Sequence, residues 1–214
     1  MYNTNNIQLI LKWYDLNKRD LPWRNANDPY KTWLSEIMLQ QTQVQTVIPY
    51  FNKWMKQFPT LSSVANANFD QVLKSWEGLG YYRRCKNFHQ AAKIVIKDYN
   101  GMIPNDYETL KKLPGLGEYS ASAILSIAFN EKYPAIDSNL ERVISRILGI
   151  KKLSIYNKKK IYQFANQLVQ RQRPADINQA LMDIGSTLCT SRKTECLTCP
   201  IQKYCKAFKA GNPV

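Results

Sequence analysis

Three observations predict an all-α protein. Apolar residues recur at three- and four-residue spacing nearly everywhere, no stretch alternates convincingly over more than four residues, and turn-forming residues divide the periodic runs. Ile7, Ile10, Leu11, Trp13 and Tyr14 trace the first amphipathic run, which ends at Asp20-Leu21-Pro22. Later breaks fall at Phe58-Pro59, Gly78-Leu79-Gly80, Gly101-Met102-Ile103-Pro104, Pro114 to Gly117, Tyr133-Pro134, Asn157 to Lys160 and Arg173-Pro174. About ten helices of ordinary length are left between them, one marked by Ile161, Phe164, Ala165 and Leu168.

The run "WLSEIMLQQTQVQTVIPYF" over 33–51 holds one charged residue, Glu36, and the nearest charges along the chain are Lys31 and Lys53. At i−3 and i+4 of a helix Glu36 neighbours Trp33 and Gln40, an apolar ring and a neutral amide. A carboxyl in such surroundings is expected to have a raised pKa and to keep a proton near neutrality, the property of a general acid. A solvent-facing glutamate on an amphipathic helix is the plain alternative.

The chain has 214 residues, 44% hydrophobic and 12% aromatic, enough for one compact unit or two small domains. Thirty Lys and Arg against sixteen Asp and Glu give a net charge of +14 with no basic tail, which favours a polyanion, nucleic acid first. No apolar run is long enough to cross a membrane, and the amino terminus lacks a signal peptide's basic start and cleavage site, so a cytoplasmic, nucleoid-associated protein is expected.

Two segments echo each other. "LKSWEGLGYY" (73–82) and "LKKLPGLGEY" (110–119) align without gaps at Leu, Lys, Gly-Leu-Gly and the final Tyr, and each reads as helix, glycine hairpin, helix. Glycines such as Gly115 and Gly117 let the backbone come close to another surface, and the N–H groups that open the next helix suit a phosphate. The second copy is read as a DNA-backbone contact, and the first, with Leu79, Tyr81 and Tyr82 at its tip, as a wedge or structural turn.

Cys189, Cys196, Cys199 and Cys205 form C-x6-C-x2-C-x5-C within the last 26 residues, and the single histidine, His89, lies far away. In a cytosolic chain this pattern favours metal over disulfides. Four thiolates suit a tetrahedral zinc or an iron–sulfur cube, and zinc sites more often show two close pairs or include His. Cys85 is read as an ordinary thiol.

The hairpin "LPGLGEYSA", Asp137 twenty residues after its last glycine in "AIDSNLERV", and the four-cysteine loop resemble the helix-hairpin-helix base-excision DNA glycosylases that carry an iron–sulfur cluster. Within them "LPWR" (21–24), "WLSEIMLQQTQV" (33–44) and "GLGYYRR" (78–84) are similar to the MutY adenine glycosylases. The resemblance implies two helical domains with a DNA-binding cleft between them. A six-helix barrel with the helix-hairpin-helix would span 22–130, and residues 1–21 plus 131–214 would form the iron–sulfur cluster domain. It also implies a 4Fe-4S cluster on Cys189, Cys196, Cys199 and Cys205, a site whose expected part is to tie down the carboxyl-terminal loop and position Arg192, Lys193 and Lys203 near phosphate. The implied partner of a monomeric enzyme is double-stranded DNA containing adenine opposite 8-oxoguanine or guanine.

By the same resemblance Glu36 protonates adenine N7 and later helps to activate water. Asp137 stabilises the oxocarbenium-like sugar or traps it covalently. An S-x-x-E capping box at Ser138 and Glu141 would take the helix cap and leave Asp137 free, although the family usually has glycine where this chain has Ser138. Tyr119 stands where bifunctional relatives carry a lysine, which implies a monofunctional enzyme with Tyr119 and Asn139 hydrogen-bonding around Asp137. Gln41 and Thr42 would contact the estranged purine and its phosphate, Leu79 and Tyr81 would fill the vacated stack, and Trp23, Arg24 and Gln179 would form the adenine pocket, supported by Arg19. Simple core packing is the alternative for Trp23 and Tyr81. A thymine glycosylase acting on T opposite G, or a non-catalytic DNA-binding remnant, are the competing readings. The family's usual Nudix-like extension has no counterpart before Val214, so weaker discrimination for 8-oxoguanine over guanine is expected.

Overall fold

The structure is a computed structural model and describes residues 4–24 and 28–211. Its described residues contain twelve α-helices, two 3-10 turns and one isolated β-bridge, between Cys189 and Thr194. No helix among them is long and apolar enough to cross a membrane. The packing divides the chain into two compact units, Asp20–Phe129 and Met1–Arg19 with Asn130–Val214.

The first unit carries α2 (Pro29–Leu39), α3 (Val44–Gln57), α4 (Leu61–Asn66), α5 (Phe69–Trp76), α6 (Tyr82–Asp98), α7 (Tyr107–Lys112) and α8 (Glu118–Phe129). Local chemistry explains where these helices start. Asp28 caps α2 by accepting from the Tyr30 and Lys31 amides at 2.9 and 3.3 Å, with Pro29 in the first turn where its missing N–H costs nothing. Thr60 and Asn68 form capping boxes for α4 and α5, and Asp106 caps α7. The core is aromatic. Trp54 stands edge-on to Trp76 and Phe88, and Trp33 edge-on to Phe88 at 4.9 Å between ring centroids. The Trp54 indole donates to the Tyr30 hydroxyl at 2.8 Å, which donates to the Phe58 carbonyl at 2.7 Å, so these two polar tips are satisfied, whereas the buried Trp33 Nε1 has no hydrogen-bond partner among the described residues. α2 and α8 sit deepest, with Thr32 to Met38 and Ser120 to Ser126 buried in unbroken runs.

The second unit carries α1 (Thr4–Asn17), α9 (Ser138–Leu148), α10 (Ile155–Val169), α11 (Pro174–Thr187), the 3-10 turns Cys196–Thr198 and Gln202–Tyr204, and α12 (Lys206–Lys209). Its core joins Ile7, Ile10, Leu11 and Tyr14 of α1 to Leu140 and Ile144 of α9, Leu168 of α10 and Ile177, Leu181 and Ile184 of α11. Gly185 brings α11 close to α9: a Cβ there would lie 2.8 Å from Asn139 Cβ and 3.3 Å from Val143 Cγ2. Asp183 is wholly buried and accepts from the Arg19 side chain at 2.6 Å and from the Arg19 amide at 3.3 Å.

Candidate active site and cysteine site

Glu36 lies in the middle turn of α2 and is only 7% exposed, so the amphipathic-surface alternative for this residue does not hold. Its i−3 neighbour Trp33 is fully buried, and the i+4 amide of Gln40 donates to Ser120 Oγ at 3.4 Å. From α8, the half-buried Tyr119 donates its hydroxyl to Glu36 Oε2 at 2.7 Å. The helix that follows the second glycine hairpin therefore supplies a donor to the candidate acid.

That hairpin runs through Gly115 at φ 82 to the start of α8. A Cβ on Gly115 would meet Asn87 Cβ at 2.9 Å, whereas one on Gly117 would meet nothing within 4 Å. Gly117 therefore leaves open space at a helix start where N–H groups face outward, the arrangement that accepts a phosphate. At the first hairpin, Gly78 and Gly80 have φ 92 and 77, and Tyr81 is left-handed at φ 49. Tyr81 and Tyr82 are 56% and 48% exposed but Leu79 is 5% exposed, so Leu79 is an anchor in the fold and not part of the exposed tip. Gln41 is exposed and left-handed at φ 58, with Thr42 half-buried beside it. Trp23 is buried with its ring edge-on to Phe51 at 5.2 Å, and Arg24 beside it is half-buried.

In the other unit the cap reading is corrected. Asp137, not Ser138, is the N-cap of α9: its Oδ1 accepts from the Leu140 amide at 2.7 Å and its Oδ2 from Asn139 Nδ2 at 2.8 Å. A carboxylate at this place answers both the orphan amides and the positive end of the helix dipole, which a neutral serine hydroxyl does less well. Ser138 becomes the first helical residue, exposed and without a positive φ, so the departure from glycine carries no backbone strain.

Three residues that sequence reading missed brace the surroundings of this carboxylate, Arg142 through Asn139, Asn178 through the preceding loop and Arg146 at the cysteine loop. Arg142 Nη2 donates to Asn139 Oδ1 at 2.9 Å and to the Gly185 carbonyl at 2.6 Å, while its Nε donates to the Cys189 carbonyl at 3.0 Å. Arg146 Nη1 donates to the Thr190 carbonyl at 2.7 Å and to Cys189 Sγ at 3.2 Å. Asn178 braces the loop before Asp137 by accepting from the Ala135 amide at 3.0 Å and donating to the Tyr133 carbonyl at 2.9 Å. The available signal was the spacing i, i+3, i+7 of Asn139, Arg142 and Arg146, which sets all three on one face of α9. Gln179, also on α11, is 9% exposed.

Cys189, Cys196, Cys199 and Cys205 line one small cavity, walled by Val143, Ile147, Ile184 and Ile201. Burial pushes the Cys199 thiol up to about 11, and the neighbouring sulfurs of Cys189, Cys205 and Cys196 add to the effect. Among the described residues no three His, Cys, Asp or Glu side chains are grouped to hold a single metal ion. The four cysteines share the lining of this one apolar hollow. Arg192, Lys193 and Lys203 are exposed, with Lys193 paired to Glu195 at 2.7 Å. Cys85 is fully buried in α6, and burial pushes its thiol up to about 12.

A helix-hairpin-helix, a buried glutamate, a capping aspartate and a carboxyl-terminal cysteine loop define a class, and residues 34–171 match its family model: the chain belongs to the HhH-GPD superfamily of base excision DNA repair proteins. Among curated relatives, an adenine DNA glycosylase from Mus musculus is 43% identical over 211 residues, covering 94% of this chain and 41% of the relative. One from Buchnera aphidicola subsp. Baizongia pistaciae is 41% identical over 202 residues, covering 94% and 58%. The chain spans between 36% and 60% of the length of the curated relatives it matches. Among solved structures, a thermostable thymine-DNA glycosylase superposes with a TM-score of 0.87 at 29% identity, covering 97% of this chain and 98% of that one.

Proposed function

We propose that the chain is a monofunctional adenine DNA glycosylase, a hydrolase of the N-glycosidic bond that removes adenine mispaired with 8-oxoguanine or guanine from double-stranded DNA and acts as a monomer. The observation that carries the reading is the buried Glu36 carboxyl held by the Tyr119 hydroxyl at 2.7 Å. Adenine leaves readily only as a neutral base, so an acid must protonate it, and a desolvated carboxyl oriented by a fixed donor is suited to that task. In the proposed scheme Glu36 gives its proton to adenine N7, the bond to deoxyribose breaks, and the positive charge left on the sugar is met by the Asp137 carboxylate. Water adds to the sugar and its proton returns to Glu36, so the products are adenine and an abasic site. Asn139 and the Leu140 amide hold the Asp137 oxygens, which leaves the carboxylate fixed before charge develops. No lysine stands at position 119, so no Schiff base forms and the strand stays intact.

Gln41, Thr42, Tyr81, Gly115, Gly117, Arg24 and Gln179 are proposed as DNA contacts, with Trp23 and Leu79 supporting them from the interior. Cys189, Cys196, Cys199 and Cys205 would hold a 4Fe-4S cluster, whose part is to tie the carboxyl-terminal loop and not to react. A basic protein of +14 acting on chromosomal DNA is proposed to reside with the nucleoid.

The deciding experiment is single-turnover excision on duplexes with A opposite 8-oxoguanine, A opposite G and T opposite G, with alkali to reveal abasic sites and Glu36→Gln as control. Adenine release that disappears in Glu36→Gln, with no borohydride-trapped protein–DNA adduct, is the expected result. Release of thymine alone would move the protein to the branch represented by its thymine-DNA glycosylase neighbour, and binding without release would leave a non-catalytic DNA-binding protein.

A further inference from the structure

We infer that Arg84 is a positioning residue that braces the two loops flanking the extruded base, Gln40–Thr42 and Gly80–Tyr81, and so sets how well the protein holds a base out of the stack. The inference rests on the glycosylase reading and adds a residue to it.

Arg84 lies in the first turn of α6 and is 9% exposed. Its Nη1 donates to the carbonyls of Ile37 at 3.0 Å and Met38 at 2.9 Å, and to that of Gln40. These oxygens belong to the carboxyl-terminal end of α2, where unsatisfied carbonyls and the negative end of the helix dipole favour a cation. Its Nη2 reaches both loops at once, donating to Thr42 Oγ1 at 3.2 Å and to the Gly80 carbonyl at 3.3 Å. The guanidinium also packs over the Tyr81 and Trp76 rings, at 5.0 and 5.5 Å from their centroids.

Both loops contain a non-glycine residue in the left-handed region, Gln41 at φ 58 and Tyr81 at φ 49. Such conformations persist where surrounding contacts over-determine them, and Arg84 bonds the residues on either side of Gln41 as well as Gly80 while packing on the Tyr81 ring. A planar fork is needed for this, because one guanidinium satisfies acceptors in two directions while an ammonium is a point charge. The exposed side chains of Gln41 and Tyr81 are the ones a duplex would meet, and Arg84 itself stays beneath them.

The test uses the full chain in the Glu36→Gln background, to prevent turnover, and a duplex carrying 2-aminopurine in place of the target adenine opposite guanine. Unstacking of that base raises its fluorescence, while anisotropy of a labelled duplex reports binding separately. Arg84→Lys is expected to lower the extrusion equilibrium about tenfold and to leave duplex affinity within about threefold, because charge is kept and geometry is lost. Arg84→Gln, which keeps a planar amide but loses the charge and one arm of the fork, is expected to show a larger loss of the same kind. A wild-type fluorescence rise in either variant, a fall in affinity that accounts for the whole loss, or no rise with Arg84 intact would each overturn the inference. Failure of the glycosylase reading would show differently, as absence of adenine release by the wild-type chain whatever the fluorescence contrast.

Discussion

The Tyr119 hydroxyl donates to Glu36 Oε2 across 2.7 Å, joining the helix after the second glycine hairpin to the helix that carries the candidate acid. Tyr119→Phe keeps the ring and removes only this donor. A hydrogen bond to an ionisable group contributes about 1.5–3 kcal/mol, so single-turnover adenine release is expected to slow by roughly ten- to a hundredfold. If Tyr119 acts through Glu36, the loss in Tyr119→Phe falls on adenine release while duplex affinity stays as in the unsubstituted chain, and a matching loss of affinity would show that the tyrosine works elsewhere.

Arg142 reaches from Asn139, which orients Asp137, to the Cys189 carbonyl. Arg142→Gln is expected to reduce adenine release about tenfold by loosening Asn139, since charged hydrogen bonds are among the stronger ones. Unchanged release in a variant with native far-ultraviolet circular dichroism would remove Arg142 from the positioning of Asp137.

Asp183 has no exposed side-chain surface, and Arg19 supplies it with two hydrogen bonds. Arg19→Ala removes a partner from a buried carboxylate, and the expected cost is about 3 kcal/mol in chemical denaturation. A loss below about 0.5 kcal/mol, the scale of surface substitutions, would mean that other contacts carry Asp183.

His89 is buried with its ring against Phe69, and its Nε2 lies 3.1 Å from the Ala67 carbonyl. Burial first, and Lys93 second, hold its pKa below the ordinary 6.5. A depressed histidine contributes full stability above the unfolded value and loses it as pH falls, because the unfolded chain takes up the proton first. Urea midpoints are therefore expected to drop between pH 7 and pH 5 by more in the wild type than in His89→Gln. Equal drops would assign the pH dependence to other groups.

The helical class, its breaks, the two glycine hairpins and the four-cysteine loop were legible because each rests on local spacing: helical periodicity, turn residues and ligand separation operate over a few positions of chain. Glu36 was legible for the same reason, as a single charge inside an apolar run, and its burial follows from the helix face it occupies. The cap at Asp137 was misassigned, since both Asp137 and Ser138 satisfy the local rule and the choice between them depends on which residue takes extended backbone in the fold. Leu79 was likewise read as a tip residue from its place between two glycines, and only packing showed that it turns inward.

By itself, then, the sequence determined the all-α class, the order of its motifs and the residue types able to do acid chemistry and hold a cluster. Tertiary structure alone decided which groups meet. Tyr119 and Glu36 are 83 positions apart, and Arg84 lies 42 positions from Thr42, yet each pair is in hydrogen-bond contact. Pairing of this kind depends on helix packing, here of α2 against α6 through Trp33 and Phe88 and of α2 against α8, and periodicity along the chain records which face of a helix is apolar but not which neighbour covers it.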